Sequence, residues 1–190
     1  MSNMIFMKRS EITLYFLTLL MVFSISILLG YKAAENNPQM AKTFVDQFTS
    51  EFGFIKLLPP ILIFLIIFIN NSVKAFLAMI LGIFFGLAPL FFVFVNGYMI
   101  GVVVYFVGSK IGIGRVVMML LPHGVIEIPA IILACSYGMW LGRMFLKKIT
   151  GSDVSIGNCM ELAIRYYLKT VIPMLIVAAF VETFITPHLS

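Results

Sequence analysis

The feature that most constrains this chain is a series of long apolar runs that hold no charge. The first, ITLYFLTLLMVFSISILLG at residues 12–30, contains no charged residue. A helix needs about 20 apolar residues to cross the hydrocarbon core of a bilayer, because it rises about 1.5 Å per residue. The chain is 62% hydrophobic and 11% charged, whereas globular domains are about 25% charged. The sequence therefore predicts an integral membrane protein.

The cations of this chain lie near the ends of its apolar runs instead of forming one patch. The formal net charge is +5, which alone would allow a nucleic-acid-binding surface. Cations that flank apolar runs are typical of membrane proteins, in which Lys and Arg orient the chain by staying in the cytoplasm. We therefore expect the lipid bilayer as the environment and no nucleic-acid partner. The flanking cations are Lys8, Arg9, Lys74, Lys110, Arg115, Arg143, Lys147 and Lys148.

Lys8 and Arg9 precede the run at residues 12–30, which predicts a first span that begins on the cytoplasmic side. A cleaved signal peptide is the alternative, but its apolar region is usually about 7–15 residues long. We therefore interpret residues 12–30 as a retained span. The chain is then a multi-pass protein of the cell membrane with a cytoplasmic N-terminus.

Residues 31–56 are polar enough to lie outside the hydrocarbon, on the outer side in this topology. Asn37 and Pro38 have the residue types preferred at an N-cap and at the first helical position. Large apolar residues then recur every four positions, which predicts an amphipathic helix. This connector is interpreted either as a lid on its own bundle or as a docking surface for a partner. Its apolar stripe consists of Met40, Phe44, Phe48 and Phe52.

Polar residues and a proline interrupt the apolar sequence between residues 57 and 107. The stretches 57–69 and 97–107 are each shorter than a comfortable span. Interrupted segments are tolerated in a bilayer where neighbouring helices or a water-filled cavity satisfy the freed backbone groups. They also mark midplane sites in transporters. The sequence therefore predicts broken or tilted helices here, interrupted at Asn70, Asn71, Pro89 and Asn96.

A histidine, a glutamate, a glycine and two prolines occur within the ten residues LPHGVIEIPA (121–130) of an apolar run at 116–142. If the short basic loop at 110–115 is cytoplasmic, one crossing by this run would place the following cations outside. The positive-inside rule therefore favours a re-entrant pair of helices, with a helix break at Pro122, Gly124 and Pro129. One full span, which gives six spans in total, is the alternative.

The last third begins with a polar connector at residues 149–165, in which Asn158 and Glu161 have the spacing of a capping box. A C-terminal span follows at about 166–186, with Pro173 as a kink. The whole sequence predicts an all-α polytopic transmembrane helix bundle of about 5–6 membrane segments, with broken or re-entrant helices. We treat residues 1–190 as a single integral membrane domain.

Glycines recur four residues apart in the apolar segments, so the members of each pair lie on one helical face. Small residues at this spacing let two helix backbones approach closely in a membrane. Packing inside one bundle is one interpretation, and self-association into a homo-oligomer is the other. A further pair at 108–112 surrounds Lys110 and predicts a turn. The pairs assigned to helix packing are Gly82 with Gly86, Gly97 with Gly101, and Gly138 with Gly142.

Two of these pairs follow a polar residue at the same offset. Asn71 precedes Gly82 by as many residues as Glu127 precedes Gly138, and in each pair the second glycine follows four residues after the first. Without wider similarity, this correspondence is too short to define an internal repeat.

Glu127 is the most conspicuous ionisable residue of the apolar sequence. An ionisable group within a membrane is costly unless it is paired, and by default it marks a functional site. His123 lies four residues earlier and so shares a helical face with Glu127. This cluster is interpreted either as fixing the shape of the bundle or as a proton or cation site. The predicted buried polar cluster consists of Asn70, Asn71, Asn96, His123 and Glu127.

The residue types needed for hydrolysis are sparse. The chain has two histidines and no HExxH motif, whereas a catalytic zinc needs three protein ligands. Its serines lie in no GxSxG context, and its only aspartates, Asp46 and Asp153, lie in polar connectors. Cys135 and Cys159 have no metal-ligand spacing. We therefore expect no catalytic residue, no metal site and no cofactor.

Three segments of the sequence resemble one membrane-protein family: FINNSVKAF (68–76), GIFFGLAPLFFVFVNGYMIG (82–101) and LLPHGVIEIPAIILACSYGMWLG (120–142). The chain resembles the stage II sporulation protein M family. Its members share an Asn-Asn near the end of a span, an Asn-Gly followed by a second glycine, and a Pro-His-Gly-x-x-Glu-hydrophobic-Pro-Ala signature. The resemblance covers residues 57–145. The matching positions are Asn70, Asn71, Asn96, Gly97, His123, Gly124, Glu127 and Pro129.

This resemblance implies a multi-pass membrane protein. The member that gives the family its name is similar in role to a scaffold that gathers peptidoglycan-remodelling enzymes during engulfment, and most relatives lie outside sporulation. We therefore predict a non-enzymatic scaffold or assembly protein that self-associates and engages a membrane-protein or membrane-associated enzyme partner. The alternative is a small transporter or proton/cation channel that uses Glu127 and His123.

Overall fold

The computed structural model describes residues 7–53 and 57–186, apart from the side chains of residues 48, 49, 51, 52 and 123. The described chain folds into helices joined by short turns, and one π-helical turn, Tyr167–Val171, lies inside the last helical segment. The helices in chain order are α1 (Arg9–Asn36), α2 (Pro38–Phe52), α3 (Pro60–Leu81), α4 (Leu87–Ile111), α5 (Ile113–Ile149), α6 (Ile156–Tyr166) and α7 (Ile172–Phe184).

In the described part of the chain, five helical segments are long and apolar enough to cross a membrane. α1, α3 and α4 each supply one, the Gly124–Ile149 part of α5 supplies the fourth, and the stretch Ile156–Phe184 supplies the fifth. The stretch Ile113–Pro122 at the start of α5 is a shorter apolar helix. This architecture confirms the predicted all-α polytopic bundle.

α5 is the central helix of the bundle. In the most apolar stretch of its candidate span, 56% of the residues are buried, against 17% to 28% in the other four candidate spans. It packs against α1, α3, α4, α6 and α7, and its Trp140 side chain is fully buried. The signature residues at 122–129 therefore lie on the helix that every other span contacts.

The directions of the helices give the bundle two distinct ends. Contacts advance in the same sense along α1 and α4, and likewise along α3 and α5, so each of these pairs is parallel. α5 is antiparallel to α1, because Glu11 at the start of α1 pairs with Arg143 near the end of α5 at 2.8 Å. We call the end of the bundle that holds this ion pair the first end. It also holds the turn at 82–86, where Phe85 contacts Phe145. The second end holds α2 and the turn between α4 and α5.

α5 runs as one helix through Pro122, Gly124 and Pro129, so the structure adopts the full-helix alternative at 116–142 instead of the re-entrant hairpin. The hairpin prediction depends on placing the loop at 110–115 on the same side as Arg143. That loop lies at the second end and Arg143 at the first. One crossing therefore already brings the cations after the run to the side of Lys8, and no hairpin is needed.

The two prolines inside α5 each remove one backbone N–H, which leaves the carbonyl four residues earlier without its usual donor. These are local defects in a helix of 37 residues, which spans about 55 Å at about 1.5 Å per residue. The hydrocarbon core is about 30 Å thick. The helix therefore exceeds the core. Pro122 ends its short apolar part, and Pro129 lies five residues inside the long part, which begins at Gly124.

The structure also differs from the prediction of interrupted helices at 57–107. Asn70 and Asn71 lie inside α3, and Asn96 lies inside α4, where its Nδ2 donates to the Phe92 carbonyl at 2.7 Å. A polar side chain that donates to a carbonyl of the preceding turn satisfies its hydrogen-bonding group without breaking the helix. Pro89 is in the first turn of α4, where its missing N–H needs no acceptor. The break falls instead at the 82–86 turn.

α2 packs along the side of α4 at the second end. Asn37 caps it as predicted, because the Met40 backbone N–H donates to Asn37 Oδ1 at 3.1 Å. Ala41 is fully buried, and Phe44 and Val45 pack against the cluster that contains Phe106. Of the predicted stripe, Met40 is exposed, and the side chains of Phe48 and Phe52 lie outside the described part. α2 thus covers the bundle through one face.

The predicted capping box at 158–161 is wrong, because the helix begins one turn earlier. Ser155 is the N-cap, and its Oγ accepts from the Asn158 backbone N–H at 3.4 Å. Glu161 instead pairs with Arg165 at 2.9 Å, one turn further along the helix. The kink predicted at Pro173 takes the form of the π-helical turn Tyr167–Val171 just before it, which is a common way for a helix to accommodate a local disruption.

Candidate functional site

The first tight helix contact joins α1 and α4 through glycines. A Cβ added to Gly97 would lie 2.7 Å from the Phe23 carbonyl oxygen, and one added to Gly101 would lie 2.7 Å from the Tyr31 backbone nitrogen. Real Cβ atoms do not approach so closely, so these positions need glycine. The backbones of α1 and α4 therefore touch directly, as small residues permit in a membrane.

The second tight contact joins the end of α3 to α5. A Cβ on Gly82 would lie 2.5 Å from the Gly138 Cα, and one on Gly138 would lie 2.9 Å from the Met79 carbonyl oxygen. A Cβ on Gly142 would lie 2.6 Å from the Gly82 carbonyl oxygen. Gly86 adopts φ 75°, a left-handed conformation that favours glycine. The two pairs that share an offset from Asn71 and Glu127 therefore pack against each other.

The glycine pairs singled out in the sequence thus lie on contacts inside one chain. The fourth pair ends at Gly112, which has φ 93° and follows the last residue of α4, so the predicted turn is confirmed. Because the three packing pairs are occupied by intramolecular neighbours, self-association would have to use another surface.

Glu127 and Asn96 line one small internal cavity of about 50 Å³ between α1, α4 and α5. Its other walls are apolar and include Phe23, Ile100 and Ile131. A cavity of this size has room for water where polar partners exist. The structure therefore brings two members of the predicted polar cluster together within a largely apolar enclosure.

Two charged groups act electrostatically on the Glu127 carboxyl, Glu182 and Lys74. His123 lies one turn before Glu127 in α5, and its side chain is outside the described part. Sequence reasoning did not include Lys74 in the cluster. The signal was present, because Lys74 follows Asn70 by four residues in an otherwise apolar stretch.

The other two members of the predicted cluster lie elsewhere, on α3. Asn70 is exposed and Asn71 is half-buried, and the Asn70 Nδ2 donates to Asn71 Oδ1 at 3.2 Å. Neither lines the cavity at Glu127. The predicted cluster is therefore divided between an internal pair, Asn96 with Glu127, and a pair at the surface of α3.

The surface of α3 presents polar groups in the middle of a span. α3 has 22 residues beginning at Pro60, so Asn70 lies at its midpoint, and Lys74 follows about 6 Å further along the axis. Both side chains are exposed. We call the following exposed residues the α3 stripe: Ile66, Ile69, Asn70, Val73, Lys74, Leu77 and Leu81.

Tyrosines provide polar contacts that sequence reasoning missed. The Tyr167 hydroxyl donates to the Ser72 carbonyl at 2.6 Å and so ties the π-helical turn to α3. Tyr137 of α5 and Thr170 of the π-helical turn share a hydrogen bond of 3.0 Å. Only the burial of tyrosines in an apolar sequence hints at such partners, and the sequence does not reveal which ones they find.

The described residues contain no group of three or more His, Cys, Asp or Glu that could hold a metal ion. The carboxylate and amide at the small cavity can bind water, a proton or another polar group by hydrogen bonding. The chemistry of this site therefore rests on Glu127 and Asn96 together.

Comparison with known proteins identifies one family. The family model described as Stage II sporulation protein M matches residues 18–187, which extends the resemblance beyond 57–145 into α1 and through α7. An uncharacterized protein of Methanocaldococcus jannaschii is 35% identical over 116 residues, which cover 61% of this chain and 49% of that protein. The aligned part of the chain thus spans about half the length of this curated relative. No solved structure matches the chain.

Proposed function

The chain belongs to the stage II sporulation protein M family, and from this premise we propose that it is a non-enzymatic scaffold or assembly protein of the cell membrane. It holds a partner against the side of the bundle formed by α3. The partner is another membrane protein, a membrane-associated enzyme or a further copy of the chain. One observation carries this proposal, namely the polar groups that the α3 stripe exposes in the middle of a span.

These polar groups are unfavourable with lipid as their neighbour. A lysine at the centre of a transmembrane helix costs about 2.5–3.5 kcal/mol on insertion scales, and this is an upper bound for Lys74, which lies about 6 Å from the midpoint of α3. None of the ion pairs formed within the described residues includes Lys74. Glu127 lies within electrostatic range of Lys74, but the two do not form one of these ion pairs. A partner span that places a carboxylate or a carbonyl beside Lys74 would lower the cost further. The α3 stripe is therefore best explained as a docking face.

The apolar residues of the stripe add a surface for close packing. Ile69, Val73 and Leu77 are each at least half exposed, and they flank the two polar residues along one face of the helix. Helix association in membranes depends on packing and on interhelical hydrogen bonds. The stripe offers both, and the close glycine contacts pack the end of α3 against α5.

The experiment that tests this proposal is purification from native membranes in mild detergent. We expect a protein, or a second copy of the chain, to be recovered at stoichiometric yield. The double substitution Asn70→Leu with Lys74→Leu should abolish that recovery, because it removes the polar contacts and leaves the helix apolar. Lys147→Leu is the matched control, since Lys147 is exposed at the first end. Equal recovery from both variants would contradict the proposal.

The alternative function, a small transporter or proton/cation channel, is favoured by the cavity that Glu127 shares with Asn96. An ionisable side chain beside an amide within a membrane bundle is typical of a proton or cation site. In that function His123, one turn away on the same helix, relays the proton. Measuring proton and cation flux across the membranes of liposomes that contain the purified protein distinguishes this function from that of a scaffold.

A further inference from the structure

A second, larger cavity opens between the start of α1, the middle of α5 and the π-helical turn. Its volume is about 510 Å³, which falls in the range of about 300–1,000 Å³ that is usual for small-ligand sites. Neither of the predicted polar pairs lines it. It is therefore distinct from the small cavity at Glu127, and no residue of α3 lines it.

The groove has largely apolar walls and one charged residue, Arg9, at the start of α1. Ile12, Phe16 and Leu133 provide apolar surface, and Thr13 lies between the first two of these. Arg9 lies about one turn before Ile12, next to the apolar Met7. The Thr13 hydroxyl is already bonded to the Arg9 carbonyl at 3.0 Å, and the Tyr137 and Thr170 hydroxyls share a hydrogen bond of 3.0 Å. The Arg9 guanidinium is the charged group in the lining of the groove. The groove thus fits a molecule with a long apolar part and an anionic head.

The charges around the groove favour an anion. Glu11, the acidic neighbour of Arg9, is held by Arg143 at 2.8 Å. None of the ion pairs formed within the described residues includes Arg9. Lys8 is exposed beside it. Guanidinium groups bind phosphates through paired hydrogen bonds, so the mouth of the groove is complementary to a phosphate.

We propose that this groove binds one anionic phospholipid, with its phosphate on Arg9 and one acyl chain between α1 and α5 against Phe16 and Leu133. The position of the groove supports a lipid over a soluble ligand, because it is formed by two candidate membrane spans and the π-helical turn of a third. The bound lipid fills the space between the start of α1 and the π-helical turn and so steadies the first end of the bundle.

The test uses the full chain, purified in detergent and freed of lipid, with phosphatidylglycerol as the probe. At about a hundredfold excess over its dissociation constant, the lipid should raise the unfolding midpoint by about 5–10 °C. Phosphatidylcholine and glycerol phosphate should each give a clearly smaller shift, since one lacks the net negative charge and the other lacks the acyl chain. Equal shifts with phosphatidylcholine, or an equal shift with glycerol phosphate, would overturn the proposal.

Three variants sharpen this test. Arg9→Gln should weaken phosphatidylglycerol binding at least tenfold, whereas Arg115→Gln, an exposed arginine at the second end, should leave it unchanged. Thr13→Phe keeps every charge but fills the groove, and it should also reduce binding. If instead lipid binds only after deletion of residues 2–6, the groove is occupied by the chain itself and the proposal is wrong.

Discussion

Gly82 of α3 lies against the backbone of Gly138 of α5, so closely that a Cβ on Gly82 would come within 2.5 Å of the Gly138 Cα. The segments that meet here, LAMILGIFFG (77–86) and LACSYGMWLG (133–142), both carry Leu-Ala and two glycines at the same spacing. This contact fixes α3, and hence the stripe that it exposes, against the central helix.

Gly138→Ala should destabilise the bundle by about 1–3 kcal/mol, because the new methyl group would clash with the Met79 backbone and force the helices apart. Gly114→Ala is the matched control on the same helix, where a Cβ meets nothing within 4 Å. Thermal unfolding in one detergent measures both. A loss of stability in the control equal to that in Gly138→Ala would contradict this assignment.

Tyr167→Phe should lower the free energy of unfolding by about 0.5–1.5 kcal/mol, because it removes the hydrogen bond to the Ser72 carbonyl. Tyr166→Phe serves as control, since the Tyr166 side chain is 41% exposed. Denaturant titration of the two variants gives the comparison. If Tyr166→Phe lowers the free energy of unfolding more than Tyr167→Phe does, the hydrogen bond between the π-helical turn and α3 does not contribute significantly to stability.

Glu127→Gln should leave the amount of protein in the membrane and the recovery of its partner within about twofold of the original chain. Glutamine has the shape of glutamate and can bond in the cavity shared with Asn96, so a scaffold tolerates the loss of charge. Proton flux in liposomes is measured in parallel. Flux that the original chain supports and this variant abolishes would favour the channel over the scaffold.

The first end of the bundle should face the cytoplasm. It carries Lys8, Arg9, Arg143, Lys147 and Lys148, whereas the second end carries Lys32, Lys42, Lys110 and Arg115. Because both ends hold cations, we assign the orientation from Lys8 and Arg9, since the flank of the first span usually dominates. Thr43→Cys on α2 should react with a membrane-impermeant maleimide in intact cells, and Ser152→Cys only after permeabilisation. Background labelling should be low, because Cys135 and Cys159 are buried. The reverse pattern would invert the topology.

Several features of the fold could be predicted because they depend on local chemistry. The length of the apolar runs determines the spans, and Asn37 followed by Pro38 determines where α2 begins. The glycine spacing indicates close helix contacts, since no larger residue fits there. The family could be recognised from the motif around His123 and Glu127, and the match over residues 18–187 confirms it.

The partners of individual residues could not be predicted, because they depend on how distant helices are arranged. The hairpin at 122–124 follows from the assumed side of one loop, and the parallel arrangement of α1 with α4 reverses that side. The five polar residues of the predicted cluster share no single site, since Asn70 faces outwards and Asn96 inwards. Sequence spacing gives the face of one helix, but not the neighbour of that face.

Photo-crosslinking in native membranes shows directly whether the α3 stripe docks a partner. A photoreactive amino acid is placed at Val73, between Asn70 and Lys74, and separately at Phe91 of α4, which is 71% exposed. We expect a discrete crosslinked protein, or a crosslinked dimer of the chain, from position 73 and only lipid adducts from position 91. Lipid adducts alone from position 73 would contradict it, because α3 would then face the bilayer and Lys74 would reach the interface without a partner.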